Sequence, residues 1–159
     1  MIPGDKSISH RSIILGSIAK GKLIITNFLK SDDCLHTISA MRNLGARIID
    51  HKEQIMIEGI GLNNIKKPKN IIDAGNSGTV GRLILPLLIK SPYLIKIIGD
   101  KSLSKRDFSR VIDPLSKIGV KFFPKGKSQL PISILGSNYL RPIEYYEKRG
   151  SAQCKTCVM

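Results

Sequence analysis

Two hexapeptides, Met41-Arg42-Asn43-Leu44-Gly45-Ala46 and Leu115-Ser116-Lys117-Ile118-Gly119-Val120, carry one pattern 74 positions apart: the end of an amphipathic segment, a glycine, then the first residue of an apolar run. The surrounding sequence repeats too, as an apolar run, an amphipathic stretch and two further short runs, so the chain is built from copies of a strand, helix, strand, strand unit. Such units bury their faces in α/β layers, and the composition excludes a disordered or fibrous chain. With 159 residues, of which 42% are apolar and 24% charged, the chain has material for one globular domain.

The first copy is expected to open with a helix from Ser7 to Lys20, stopped by Gly21, and a strand from Leu23 to Phe28. Asp32 and Asp33 are N-cap candidates for a helix with Leu35, Ile38, Met41 and Leu44 on its apolar face. A hairpin pairs Ala46 to Ile49 with Ile55 to Ile57, and Asn63 to Asn70 is a loop. The second copy reads as a strand at Ile71-Ile72, a glycine-rich turn, a helix that tolerates Pro86 only near its start or at a kink, and a strand from Leu94 to Ile98. A helix from about Ser104 follows, with Val111, Leu115 and Ile118 on one face and a kink at Pro114, then strands at Val120 to Phe123 and Leu130 to Leu135. The repeats are thus bounded at about 1–70 and 71–138, and Tyr139 opens a third copy, 139–159, that stops where a helix starts; a fragment is the expectation.

Lys and Arg number 26 against 12 Asp and Glu, a net charge of +14 that calls for anionic partners. Only 5% of residues are aromatic and Trp is absent, the lysines are dispersed, and no RNA-binding motif is visible, so a nucleic-acid module is the weaker reading. The apolar run Leu83 to Ile89 is too short to span a membrane and the N-terminus has no signal-peptide core, so a cytoplasmic protein is expected. Cys34, Cys154 and Cys157 read as reduced thiols; Cys154 and Cys157 form one CxxC, which lacks a second ligand pair for zinc.

Three turns carry chemistry. Gly4-Asp5-Lys6-Ser7-Ile8-Ser9-His10-Arg11 sets a hydroxyl, an ammonium and a guanidinium around a helix start, with Arg11 four residues beyond Ser7 on the same face. Gly75-Asn76-Ser77-Gly78-Thr79-Val80-Gly81-Arg82 is neither a Walker A loop nor a dinucleotide fingerprint, yet its glycines admit a ligand close to the backbone, Asn76 and Thr79 add hydrogen bonds, and Arg82 adds charge. Gly99-Asp100-Lys101-Ser102-Leu103-Ser104-Lys105-Arg106 is again basic at a strand-to-helix turn. Together they imply one polyanionic site. The blander reading is three capped turns with solvated cations, and Asp5, Asp73 and Asp100 are read as turn and cap residues.

These three segments, with Gly150-Ser151-Ala152-Gln153-Cys154-Lys155 as a fourth, resemble the motifs GDKSISHR, AGNSGT..R, GD.SL..R and GSAQ.K of the 5-enolpyruvylshikimate-3-phosphate synthase family, in that family's order and over nearly the whole chain. The resemblance implies transfer of the enolpyruvyl group of phosphoenolpyruvate to the 5-hydroxyl of shikimate 3-phosphate, on the way to chorismate and the aromatic amino acids. It also implies an enolpyruvyl transferase fold: an inside-out α/β barrel domain of βαβαββ units, incomplete here. By the same resemblance Lys6, Ser7, Arg11, Ser151, Ala152 and Gln153 would bind shikimate 3-phosphate. Lys6, Asn76, Gly78, Thr79, Arg82, Arg106 and Gln153 would bind phosphoenolpyruvate, with Lys6, shared by both, as the catalytic candidate.

The resemblance implies no metal or organic cofactor, no nucleic acid or membrane partner, and a monomeric parent. Its acidic catalytic residues are expected in a second domain, absent from this sequence, so the chain alone is expected not to turn over. The family's first strand, before Pro3, is missing as well. Asp107 replaces the usual proline after Arg106, and Gly78 occupies a position where glyphosate-insensitive relatives carry Ala, which implies a sensitive parent. The related enolpyruvyl transferase acting on UDP-N-acetylglucosamine has Asn after the lysine where this chain has Ser7. His10 is expected to be structural.

Overall fold

The computed structural model describes residues 3–147 and 150–159, and the chain divides into two compact units, Met1–Asn70 and Ile71–Met159. Both are mixed α/β, and neither sheet closes into a barrel.

The first unit runs α1 (Lys6–Ile18), β1 (Lys20–Thr26), α2 (Asp32–Asn43), β2 (Arg47–Asp50) and β3 (Gln54–Ile60). Its antiparallel sheet has the order β1-β3-β2, with Ile57 opposite both Leu23 and Ile48. Strand alternation buries Ile48, Ile55 and Ile57 on the face that α1 covers with Ile13 and Ile14 and α2 with Ile38 and Met41. Each such side chain contributes about 1.5–3 kcal/mol of burial. Helix and sheet meet at glycines: a Cβ on Gly59 would lie 2.3 Å from the Ala19 carbonyl oxygen, so β3 can only pass the end of α1 without one.

The second unit runs β4 (Ile72–Asp73), α3 (Gly78–Leu87), β5 (Ile95–Ile98), α4 (Ser109–Ile118), β6 (Lys121–Phe123), β7 (Ile132–Leu135) and α5 (Ala152–Val158). Its first six elements form a full βαβαββ unit with sheet order β4-β5-β7-β6; β4 is parallel to β5 and the rest are antiparallel. The order β5-β7-β6 repeats β1-β3-β2. At the helix ends the repeat is literal. Gly45 and Gly119 have φ of 108° and 121°, Ala46 and Val120 donate to the carbonyls of Met41 and Leu115 at 3.0 and 3.1 Å, and Gly45 and Gly119 donate to Arg42 and Ser116. One left-handed glycine cap therefore ends both helices and launches both hairpins.

Several boundaries differ from the sequence reading. α1 ends at Ile18, and Gly21 lies inside β1, because Ala19 is already extended and Gly61 donates to its carbonyl. The caps of α1 and α2 are Asp5 and Ser31, which accept from the amides of Ile8 and Cys34; Ser7, Asp32 and Asp33 fall in the first turns. The helix expected from Ser104 is a 3-10 turn, Leu103–Lys105, and α4 starts only at Ser109. The break comes from Phe108, fully buried with its amide on Ser128, and from Asp107, whose carboxylate accepts from the Ser109 amide and hydroxyl. Asp107 thus satisfies an open donor of the first turn. Pro86 sits in the last turn of α3 rather than at its start. Residues 139–147 form no strand, α5 packs on α3 and α4, and the expected first strand concerns sequence before Pro3, outside the described residues.

Candidate functional site

In the first unit the helix start holds the expected side chains. Asp5 closes the first turn of α1, which leaves Lys6 and Ser7 exposed and Arg11 half-exposed one turn on. Arg11 folds back so that its guanidinium donates to the Ser7 carbonyl at 3.2 Å. The Lys6 ammonium donates to Asp33 of α2 at 3.0 Å, which raises its pKa and keeps it charged. Beneath this surface His10 is 1% exposed, its Nδ1 lies 2.6 Å from the Thr37 hydroxyl, and burial lowers its pKa. Because Thr37 in turn donates to the Asp33 carbonyl, His10 donates from Nδ1 and stays neutral, which is a structural role.

The second unit gathers the remaining candidates around the start of α3. Ser77 caps the helix by accepting from the Val80 amide. The two loops are tied together: the Asn76 amide donates to Asp100, Asp100 accepts from the Leu103 amide, and the Asp100 amide donates to the Gly75 carbonyl. Arg106 reaches back to the Asn76 side-chain oxygen at 3.5 Å. Arg82 donates to the Gly78 carbonyl and to the Gln153 side-chain oxygen, and lies 4.9 Å over the Phe108 ring. Gln153 completes the bridge by donating to the Thr79 hydroxyl at 3.2 Å.

The decisive geometry is at Gly78. The point its Cβ would occupy is 2.8 Å from one guanidinium nitrogen of Arg82 and 3.2 Å from one of Arg106. Two like charges converge on a space only glycine leaves open, and among the described residues neither has a carboxylate within ion-pair distance. Burial lowers the Arg82 pKa, with Arg106 and Arg110 adding repulsion. Guanidiniums held this way at a helix N-terminus are arranged for a phosphate or carboxylate.

The model of the EPSP synthase (3-phosphoshikimate 1-carboxyvinyltransferase) family matches residues 1–159. The chain belongs to the EPSP synthase family. It is similar to the 3-phosphoshikimate 1-carboxyvinyltransferases of Enterococcus faecalis, at 46% identity over 160 residues, and Leuconostoc citreum, at 45% over 158. These alignments cover 100% and 99% of this chain, but the chain spans only 38% and 37% of those relatives. A solved EPSP synthase from Acinetobacter baumannii superposes with a TM-score of 0.92 at 38% identity, over 99% of this chain and 36% of that one.

Two further motif residues lie at the start of α5. Ser151 caps α5 by accepting from the Cys154 amide, and Ala152 is the first residue of that helix. Asp5, Asp73 and Asp100 serve their turns, Asp73 accepting from the Gly75 amide. Reasoning from sequence missed five participants: Asp33 beside Lys6, Phe108 under Arg82, Arg110 and Glu147 as a pair, and Cys157. Asp33 had only a capping signal, and the others meet their partners across 26 to 75 residues. Cys154 and Cys157 are both buried, and burial pushes the Cys157 thiol up to about 12. Its S–H donates to the Arg82 carbonyl at 3.4 Å, the acceptor that Pro86, lacking an amide, leaves open. No helix among the described residues is long and apolar enough to cross a membrane.

Proposed function

We propose that this chain supplies the anion-holding groups of a 3-phosphoshikimate 1-carboxyvinyltransferase, acting in the cytoplasm in the route to chorismate and the aromatic amino acids. The observation that carries the reading is the convergence of Arg82 and Arg106 on Gly78 without a carboxylate partner. Phosphoenolpyruvate is a small phosphorylated carboxylate, and fixed guanidiniums match both of its charged groups. Arg82, Arg106, Asn76, Gly78, Thr79 and Gln153 are assigned to it. Lys6, Ser7, Arg11, Ser151, Ala152 and Gln153 are assigned to shikimate 3-phosphate, and Lys6 to both. The partners are these small molecules and not nucleic acid, the parent is a monomer, and residues 139–159 belong to a third repeat.

In the reaction, the 5-hydroxyl oxygen of shikimate 3-phosphate bonds to C2 of phosphoenolpyruvate while C3 gains a proton and the hydroxyl loses one. The tetrahedral ketal then expels inorganic phosphate as C3 gives up a proton, restoring the double bond. The cations fix both substrates and stabilise the departing phosphate. Proton transfer needs an unengaged acid and base, and here Asp33 holds Lys6 while Asp100 holds Asn76 and the Leu103 amide. The 159-residue chain alone is expected to bind without turnover. Calorimetric titration with shikimate 3-phosphate tests the assignment, with shikimate as control and a Lys6→Ala, Arg11→Ala double variant. The expected result is saturable, phosphate-dependent binding that the variant loses; equal heats with shikimate would overturn it.

A further inference from the structure

The loop before α5 carries a charge pair that the anion site does not use directly. Glu147 has a side chain only 5% exposed, and its two carboxylate oxygens take different partners: the Arg110 guanidinium of α4, and the Tyr145 hydroxyl, which donates. Burial, together with this hydrogen bond, pushes Tyr145 up to about 12, so its proton stays in place. A carboxylate this buried persists only because both oxygens are satisfied.

The cluster borders the first turn of α5. α5 packs on α4, the helix that carries Arg110, as well as on α3, the helix that carries Arg82. From that turn Gln153 reaches Thr79 and Arg82, and one turn later Cys157 reaches the Arg82 carbonyl. Thr79 and Arg82 are three residues apart on α3, and Gln153 and Cys157 four apart on α5, so one face of each helix makes the contact. α5 has only seven residues, too few to hold itself in register without tertiary anchors.

We propose that Glu147 is a positioning residue for the anion site of the second unit: by joining Arg110 to Tyr145 it fixes the first turn of α5, so that Gln153 bridges Arg82 and Thr79, and it leaves Arg82 and Arg106 as the open cations. The proposal rests on the reading of that site as a phosphoenolpyruvate site, but its test does not depend on that reading alone. The chain has three glutamines, Gln54, Gln129 and Gln153, whose side-chain amides are separable by nitrogen-edited NMR. In Glu147→Ala the Gln153 amide pair moves toward the free-glutamine position while Gln54 and Gln129 stay in place, and phosphoenolpyruvate binding weakens about tenfold. Glu147→Asp, which keeps the charge, restores both in part. Tyr145→Phe, which removes one hydrogen bond and no charge, produces a smaller shift of the same resonances and decides the matter if Glu147→Ala does not fold. Unmoved Gln153 resonances in a folded variant overturn the proposal. A wild-type chain that ignores phosphoenolpyruvate, but whose Gln153 still moves in Glu147→Ala, refutes the assigned ligand and leaves the positioning role standing.

Discussion

Gly78→Ala adds one methyl group at the point where the two guanidiniums meet. That methyl would sit 2.8 Å from Arg82 and 3.2 Å from Arg106, closer than a carbon and a nitrogen can rest, so at least the Arg82 group must withdraw by several tenths of an ångström. Gly78 has no left-handed backbone and is the first residue of α3, so alanine is permitted there and favours the helix by up to about 1 kcal/mol. The atoms it meets are the far ends of flexible side chains, so folding should change by no more than about 1 kcal/mol. Binding should respond more strongly. Loss of one charge-assisted hydrogen bond to the ligand costs about 1.5–3 kcal/mol, a reduction in affinity of roughly ten- to a hundredfold. Titration calorimetry with phosphoenolpyruvate, set beside urea unfolding of the same two proteins, separates the effects. Unchanged affinity in the variant would mean that the ligand does not occupy the space between the two arginines. Lost stability matching the lost affinity would mean that the methyl group disturbs the fold instead.

Removing the Thr37 hydroxyl with Thr37→Val leaves the buried His10 nitrogen without a partner; a cost of about 1–3 kcal/mol, and a melting temperature lower by at least about 2 °C, are expected in thermal unfolding. Burial holds His10 below its ordinary value, so as pH falls through about 6.5 the unfolded chain binds a proton that the folded chain refuses, and stability drops. Urea midpoints should therefore be lower at pH about 5.5 than at about 7.5, with a shallower slope in His10→Gln; a slope unaffected by that substitution would refute the assignment. Cys154 and Cys157 should react with a disulfide reagent only on unfolding, since both are buried and Cys157 is kept protonated; rapid labelling of the native chain would contradict their placement.

The repeat at Gly45 and Gly119 makes much of the architecture readable in the sequence, because one left-handed cap and an alternating hairpin leave local signatures that recur 74 residues apart. The helix starts were less readable. Ser7, Asp32 and Asp33 can all cap, and the choice of Asp5 and Ser31 depends on which backbone is already extended. The break before α4 was hidden because it depends on burying Phe108 beneath Arg82, a tertiary event. Within the candidate site, Lys6, Arg11, Asn76, Arg82 and Arg106 stood out by charge and turn context. Glu147 did not, since its partner is 37 residues away, and the open carbonyl at Arg82 follows from Pro86 only once α5 is in place to fill it.

The most direct test of the account follows the side-chain N–H resonances of Arg82, Arg106 and Arg110 while phosphoenolpyruvate is added to the chain, with inorganic sulfate in parallel. The account predicts that Arg82 and Arg106 shift together along one saturating curve, at concentrations where sulfate does little, while Arg110, held by Glu147, stays near its starting position. Equal shifts with sulfate, or an Arg106 that moves without Arg82, would contradict a shared phosphoenolpyruvate site at Gly78.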